Sequence, residues 1–290
     1  MSELINCINN LSAKDILRAS VKTANGAPFY IQTGAVSAYS DEYQAVYDSF
    51  TTKPDAAIAA AQNTLVETLV SSGVWAILDV FYLFAQTTNG GGEALINWIA
   101  PGTFTATLVN APAFVALEGF TGNGANQYIR TGFIGGGIYN YQQNSASFGS
   151  YIRTNTGNNG YDIGCETAGA DARFYARQGD DWGVKINDGT AATNASLDSR
   201  GFWVANRSTV NNRQFYKNAA SILSDVRVAV GVPGIEFYIL TRNNAGSPSG
   251  FVDTQHSAGF LGGSLTQPDA TSFTNAIEVY MDSNGKGVIP

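Results

Sequence analysis

Ionisable side chains are scarce in this sequence. Asp, Glu, Lys and Arg make up 13% of its 290 residues, about half the usual share. The 16 basic residues are scattered singly and the formal net charge is −7, which argues against a nucleic-acid partner: phosphate binding needs clustered Lys and Arg. There is one histidine, His256, and two cysteines, Cys7 and Cys165, so a four-ligand His/Cys zinc site cannot be assembled within the chain. A Ser-His-Asp or Cys-His site would have to use His256, which the surrounding Asp253-Thr-Gln-His-Ser257 places in a loop with a structural or surface role. The cysteines, far apart in sequence, read as two buried free thiols.

Long apolar runs are also missing. The most apolar window, residues 74–85, is too short to span a bilayer and carries Asp79. The N-terminus lacks a basic segment, and its apolar stretch is broken by Asn6, Asn9 and Asn10. The expectation is synthesis in a cytoplasm without membrane insertion. The glycine runs 90–92 and 135–137 have no following Lys-Ser or Lys-Thr, so they are turns, not phosphate loops. The sequence contains no internal repeat, no heptad, no EF-hand pattern and no E-x-D-x-x-E carboxylate spacing of the kind jelly-roll glycosidases carry on one strand.

What is present is β-pattern. Residues 103–109 alternate, with Phe104, Ala106 and Leu108 on one face and threonines on the other. Residues 114–118, 127–133, 145–153, 161–165, 172–177, 182–186, 201–206, 214–217, 226–230 and 236–240 read as further strands, with 119–124 as a turn. In 172–177, Phe174 and Ala176 oppose Arg173, Tyr175 and Arg177; in 201–206, Phe202 and Val204 oppose Trp203 and Ala205. Many short strands without long helices between them indicate an antiparallel jelly-roll sandwich.

Before this β-region lies helix. Ser40 opens a helix with Tyr43, Val46, Tyr47 and Phe50 on one face. Pro54 sits in the first turn of a second helix running to Ser71, with Gly73 as its C-cap. Residues 74–84 fit a buried strand or more helix, and 94–98 a short helical turn. Thr266 opens a C-terminal helix. The expected division is an N-terminal arm (1–38), a helical hairpin and connector (39–100) and a jelly-roll domain (101–290).

Phe215-Tyr216-Lys217-Asn218, the strand 236–242, the closing segment 257–280 and Tyr128-Ile129-Arg130-Thr131-Gly132-Phe133 together resemble, in the right order, a concanavalin A-like, laminin-G-type jelly roll. Ala219 departs from the glycine usual in that family's hairpin. Joined to residues 72–82, 94–98 and 119–122, the set resembles a module of tailed-bacteriophage virion proteins, found on fibres, tail tips or capsid decorations. The resemblance implies a virion structural or adhesive component. It would contact other virion proteins through the arm and helices and form a homo-oligomer.

For a ligand, lectins of this fold use exposed aromatics for stacking and Asn or Asp for hydroxyl contacts. The candidates here are Trp182 beside Asp180 and Asp181, Tyr161 with Asn158 and Asn159, Trp203, and Asn243 with Asn244. Each tryptophan could equally belong to the core, and each asparagine to a turn. Glu166, Asp171, Asp180 and Asp181 read as loop acids, without a paired catalytic constellation. Bound calcium is admitted at Asp180-Asp181 and Asn187-Asp188; no other metal or cofactor is expected. The expected function is attachment to host or environmental glycans by a protein that is not an enzyme. A polysaccharide-degrading depolymerase and a purely architectural capsid or tail protein are the alternatives.

Overall fold

Ser40 starts the first helix as a cap should: its hydroxyl accepts the Tyr43 amide, and Asp41 and Glu42 follow in the first turn, where acids suit the helix dipole. This helix is α1 (Asp41–Ser49). In α2 (Ala56–Ser71) the cap is Asp55, which accepts the Ile58 amide at 2.9 Å. Pro54 therefore stands before the cap and not in the first turn. The ambiguous run that follows is both things in succession: one helical turn, α3 (Val74–Ile77), and then a strand, Leu78–Leu83.

The computed structural model describes residues 39–157 and 159–290, with the backbone of Val21–Lys22 and Pro28–Phe29. The chain divides into two units, Met1–Ala38 and Tyr39–Pro290. In the first, β1 (Val21–Lys22) pairs antiparallel with β2 (Pro28–Phe29). The remaining features expected of residues 1–38, Cys7 included, lie outside the described residues.

The second unit runs from the helices through β3 (Leu78–Leu83) and a single 3-10 turn, Glu93–Leu95, into β4 (Thr107–Val109), β5 (Ala113–Val115), β6 (Gly119–Thr121) and β7 (Tyr128–Arg130). Then come β8 (Ala146–Ile152), β9 (Ile163–Thr167), β10 (Ala170–Gln178), β11 (Asp181–Asp188), β12 (Ala192–Ala195) and β13 (Gly201–Thr209). The chain closes with β14 (Asn212–Lys217), β15 (Ala220–Val226), β16 (Tyr238–Ile239), β17 (Arg242–Asn244), β18 (Ser247–Ser249), β19 (Gln255–Gly262) and α4 (Gln267–Ser283).

Three sequence expectations shift. Phe104 takes a left-handed φ of 53°, which breaks the strand expected over 103–109 and leaves only β4. Residues 119–121 pair with β5 and β19 and so are strand, with the turn starting one residue later. The strand expected over 226–230 lies earlier, at β15.

The strands form two sheets. The inner sheet has the order β15-β14-β13-β8-β19-β6-β5, with β3 sharing the edge of β19 beyond β6. The outer sheet has the order β12-β11-β10-β9-β16-β7-β4, with the β17–β18 hairpin also on β9. Pairing is antiparallel throughout these sheets except between β17 and β9. The protein is thus mainly β, an antiparallel sandwich with helices towards its ends.

Alternation along each inner strand fills two cores. Trp203 and Ala205 point between the sheets, where they meet Phe148, Phe174, Phe215 and Phe237. Phe202 and Val204 point the other way, into a second core with Leu65, Phe81, Trp98, Phe273 and Ile277 that α1, α2 and α4 cover. Phe273 is central there, with ring centroids 4.8 Å from Phe260, 4.9 Å from Phe202 and 5.7 Å from Phe81. The inner sheet is therefore apolar on both faces and serves as the middle layer. Among the described residues, no helix is long and apolar enough to cross a membrane.

Candidate functional site

The outer sheet has one face in the core and one in solvent. Ile163, Cys165, Ala172, Phe174, Val184 and Ile186 fill the core, so the pleat turns Gly164, Glu166, Arg173, Tyr175, Gly183 and Lys185 outward. Register then lines these residues up. Arg242 on β17, Gly164 on β9, Arg173 on β10 and Lys185 on β11 stand in one row across four strands. Asn244, Glu166 and Asp171 form the next row.

The two rows knit together by charge. Glu166 takes Arg173 at 2.5 Å and also Arg242; Asp171 takes Lys185 and, at 3.4 Å, Arg173. Gly164 is what lets the arginines flank it closely, because a Cβ there would lie 2.3 Å from Cβ of Arg173. Tyr161, just before β9, carries both guanidinium groups over its ring, at 4.7 Å for Arg173 and 4.5 Å for Arg242. Both reach the same Glu166 oxygen. Tyr175 lies 5.9 Å from Tyr161 in an edge arrangement and rests on Gly183, where a Cβ would come within 2.2 Å of the ring. Burial raises the Tyr175 hydroxyl above its ordinary pKa, so it stays a neutral donor.

Two hollows open on this face. One, of about 120 Å³, is lined by Tyr161, Arg173, Tyr175, Gln178 and Lys185 among others. The other, of about 440 Å³, is lined by Glu166, Thr167, Asp171, Lys185, Asn244 and the turn 168–169 among others. Lys185 borders both. A third hollow, of about 290 Å³ between α2 and α4, has no charged group in its lining.

Of the residues proposed from sequence, the structure brings Tyr161 and Asn244 into this neighbourhood. Asn243 is buried in its own turn, donating to the Glu236 carbonyl and accepting the Gly246 amide. Asp180 pairs with Arg177 at 2.9 Å, and Asp181 is exposed at the start of β11. Asn159 is exposed; Asn158 lies outside the described residues. Trp182 and Trp203 are corrected: at 4% and 0% exposed they pack on Phe215 between the sheets and present no face to a sugar. Glu166 and Asp171 are corrected too, being strand residues directly opposite one another and not loop acids. Sequence reading missed Arg242, Lys185, Arg173 and Tyr175 as site residues, although the alternation in 172–177 had already set Arg173 and Tyr175 away from the core.

Calcium finds no ligands at Asn187-Asp188. Asp188 is fully buried between Arg207 (3.0 Å) and Arg213 (3.1 Å), a clamp that joins the two sheets. The Asn187 side chain is taken by Tyr141, Gln142 and Gln143.

His256 is not in a loop. It belongs to β19, with Nδ1 2.6 Å from Ser150 Oγ and Nε2 3.2 Å from Asp162 Oδ1. These are the residue types of a nucleophilic triad, but Ser150 and His256 are 0% exposed and Asp162 2%. Ser150 Oγ donates to the Ala258 carbonyl, and Thr254 donates to Asp162. No substrate reaches this group; it is a satisfied polar network within the core.

No family model matches the chain, and no curated protein matches it. Among solved structures, the binding domain of botulinum neurotoxin serotype D is similar with a TM-score of 0.51 and 9% identity, over 72% of this chain and 53% of that one. A Trypanosoma rangeli sialidase in complex with sialic acid gives 0.49 and 14%, over 75% of this chain. Domain 4 of a GH43 extracellular arabinanase from Geobacillus stearothermophilus, in complex with arabinotriose, gives 0.41 and 14%, over 68% of this chain and 98% of that domain. The chain spans 39% of the sialidase's length. The likeness is one of fold, a β-sandwich. The expectation of a protein that is not an enzyme does not stand: sialidase and trans-sialidase enzymes are among the similar structures, and whether this chain has an activity is open.

Proposed function

We propose that this protein binds carbohydrate through the outer face of β9, β10, β11 and β17. The supporting observation is the convergence of Tyr161, Tyr175, Arg173, Lys185 and Asn244 on two adjoining hollows. Sugars offer hydroxyl groups and flat apolar ring faces. A site for them needs aromatic carbon beside fixed donors and acceptors, and this face supplies both. The larger hollow falls in the range that ordinary ligand sites occupy.

The sequence resemblance supports the finer reading: a concanavalin A-like module on a bacteriophage virion surface, attaching the particle to host or environmental glycans. In that reading residues 1–38 and the helices contact other virion proteins, and the protein assembles as a homo-oligomer. A glycan array with the wild type and the Tyr161→Ala/Tyr175→Ala double variant tests the binding; retained signal in a folded variant overturns the site. Antibody labelling of purified particles tests the location, and antigen confined to lysate without particles overturns it.

One observation favours a second reading, polysaccharide hydrolysis. Glu166 and Asp171 face each other across adjacent strands at the larger hollow, and two carboxylates are what such hydrolysis uses. Both are already engaged by Arg173, Arg242 or Lys185, which suits holding better than proton transfer. Release of oligosaccharides that disappears in Glu166→Gln would establish it.

A further inference from the structure

We infer that the ligand is an acidic saccharide, whose carboxylate or sulfate group seats against Lys185 where the two hollows meet. This rests on the carbohydrate reading above and names the class of sugar.

Arg173 and Lys185 are direct cross-strand partners, an arrangement of like charges that costs stability in a bare sheet. Arg242 extends the same row, so three cations face the two carboxylates Glu166 and Asp171. The charges alternate along the ladder Arg242, Glu166, Arg173, Asp171, Lys185, and cations stand at both of its ends. At one end Arg242 also donates to Ser249, whereas at the other Asp171 is the one partner of Lys185 among the described residues. An ammonium has three donors, so Lys185 has capacity left, and it is the residue that lines both hollows. Asp181 shares the face but lies two pleats along, beyond Gly183; Arg177 and Asp180 neutralise each other. An anionic oxygen beside Lys185 would continue the alternation of the ladder by one step. Asn244 on the opposite rim of the larger hollow is placed to take the hydroxyls of the attached ring.

Matched polymers separate charge from sugar identity: polygalacturonate against its methyl ester, and dextran sulfate against dextran, by affinity electrophoresis at low and at physiological salt. The charged member of at least one pair should bind about ten-fold tighter than its neutral partner. The preference should shrink with salt and vanish in Lys185→Gln, which keeps a hydrogen bond to Asp171 but not the charge. Preference within the first pair assigns a carboxylate, within the second a sulfate. Equal binding of charged and neutral members, unchanged in Lys185→Gln, overturns the inference and leaves the carbohydrate reading standing. No binding to any of these polymers or to any glycan on the array removes both. Matching melting temperatures of wild type and variant exclude misfolding as the cause of a loss.

Discussion

Ala219 carries a strain that its neighbours impose. It and Asn218 form the two-residue turn between β14 and β15, with φ of 66° and 50°. The right-handed twist of the strands demands this turn, and a Cβ resists it at Ala219. Asn218 tolerates it and uses its side-chain oxygen to accept the Phe202 amide at 2.8 Å. Ala219→Gly should therefore stabilise the protein by about 0.5–1 kcal/mol, the relief of strain exceeding the entropy that glycine adds to the unfolded chain. A chemical-denaturation midpoint that falls would refute this. The turn was legible in the sequence because Asn and the preceding aromatic strand are local signals. His256 was not legible. Its neighbours Thr254, Gln255 and Ser257 look like a loop, and only pairing with β6 and β8, more than a hundred residues away, makes Gln255–Ser257 a strand. Trp203 failed for a related reason: alternation gives a side chain a face but does not say which face is buried when a strand is apolar on both, as β13 is. Trp182 shares its face with Val184 and Ile186, so alternation along β11 already set it in the core.

At the scale of elements, β9, β10 and β11 show how far local pattern reaches. Alternation told which residues of β10 share a face. The row of Arg242, Arg173 and Lys185 needed register between strands distant in sequence, and one of these pairs is parallel. The C-terminal element has its own chemistry. α4 opens on a capping box, Thr266 and Asp269 each accepting the other's amide. It ends near a tail held by Lys286 on Glu118 at 2.5 Å, with Arg153 on the same carboxylate at 2.8 Å. Lys286 and then Arg153 lower the Glu118 pKa below its ordinary value. A lowered carboxylate stabilises the fold above its unfolded pKa and loses that contribution as pH falls through the folded value. Stability should thus decline below about pH 4, and the decline should be shallower in Lys286→Met. Glu278 acts with the opposite sign: burial raises it, so its contribution falls as pH rises above the ordinary Glu range. An unchanged acid limb in Lys286→Met would count against the pairing.

For the molecule as a whole, the middle layer matters most. The inner sheet closes two cores, one against the outer sheet and one against α1, α2 and α4. Neither core can open without exposing a face of that sheet, so residues 39–290 should lose helix and sheet signals in one transition. Phe273→Ala, at the centre of the helical core, should cost about 3–5 kcal/mol. It should lower the melting temperature seen by the sheet as much as that seen by the helices; separate transitions by circular dichroism and by tryptophan fluorescence would show the layers to be independent.

Cys165 turns this architecture into a clock. Its sulfur is sealed between the sheets, and burial raises its pKa, while the residues on either side of it in β9, Gly164 and Glu166, belong to the charged outer face. In a Cys7→Ser background, the speed at which a thiol reagent reaches Cys165 counts how often the two sheets part. A saccharide resting on the other side of the same strand should slow that count, so occupancy of the surface could be timed from inside the protein.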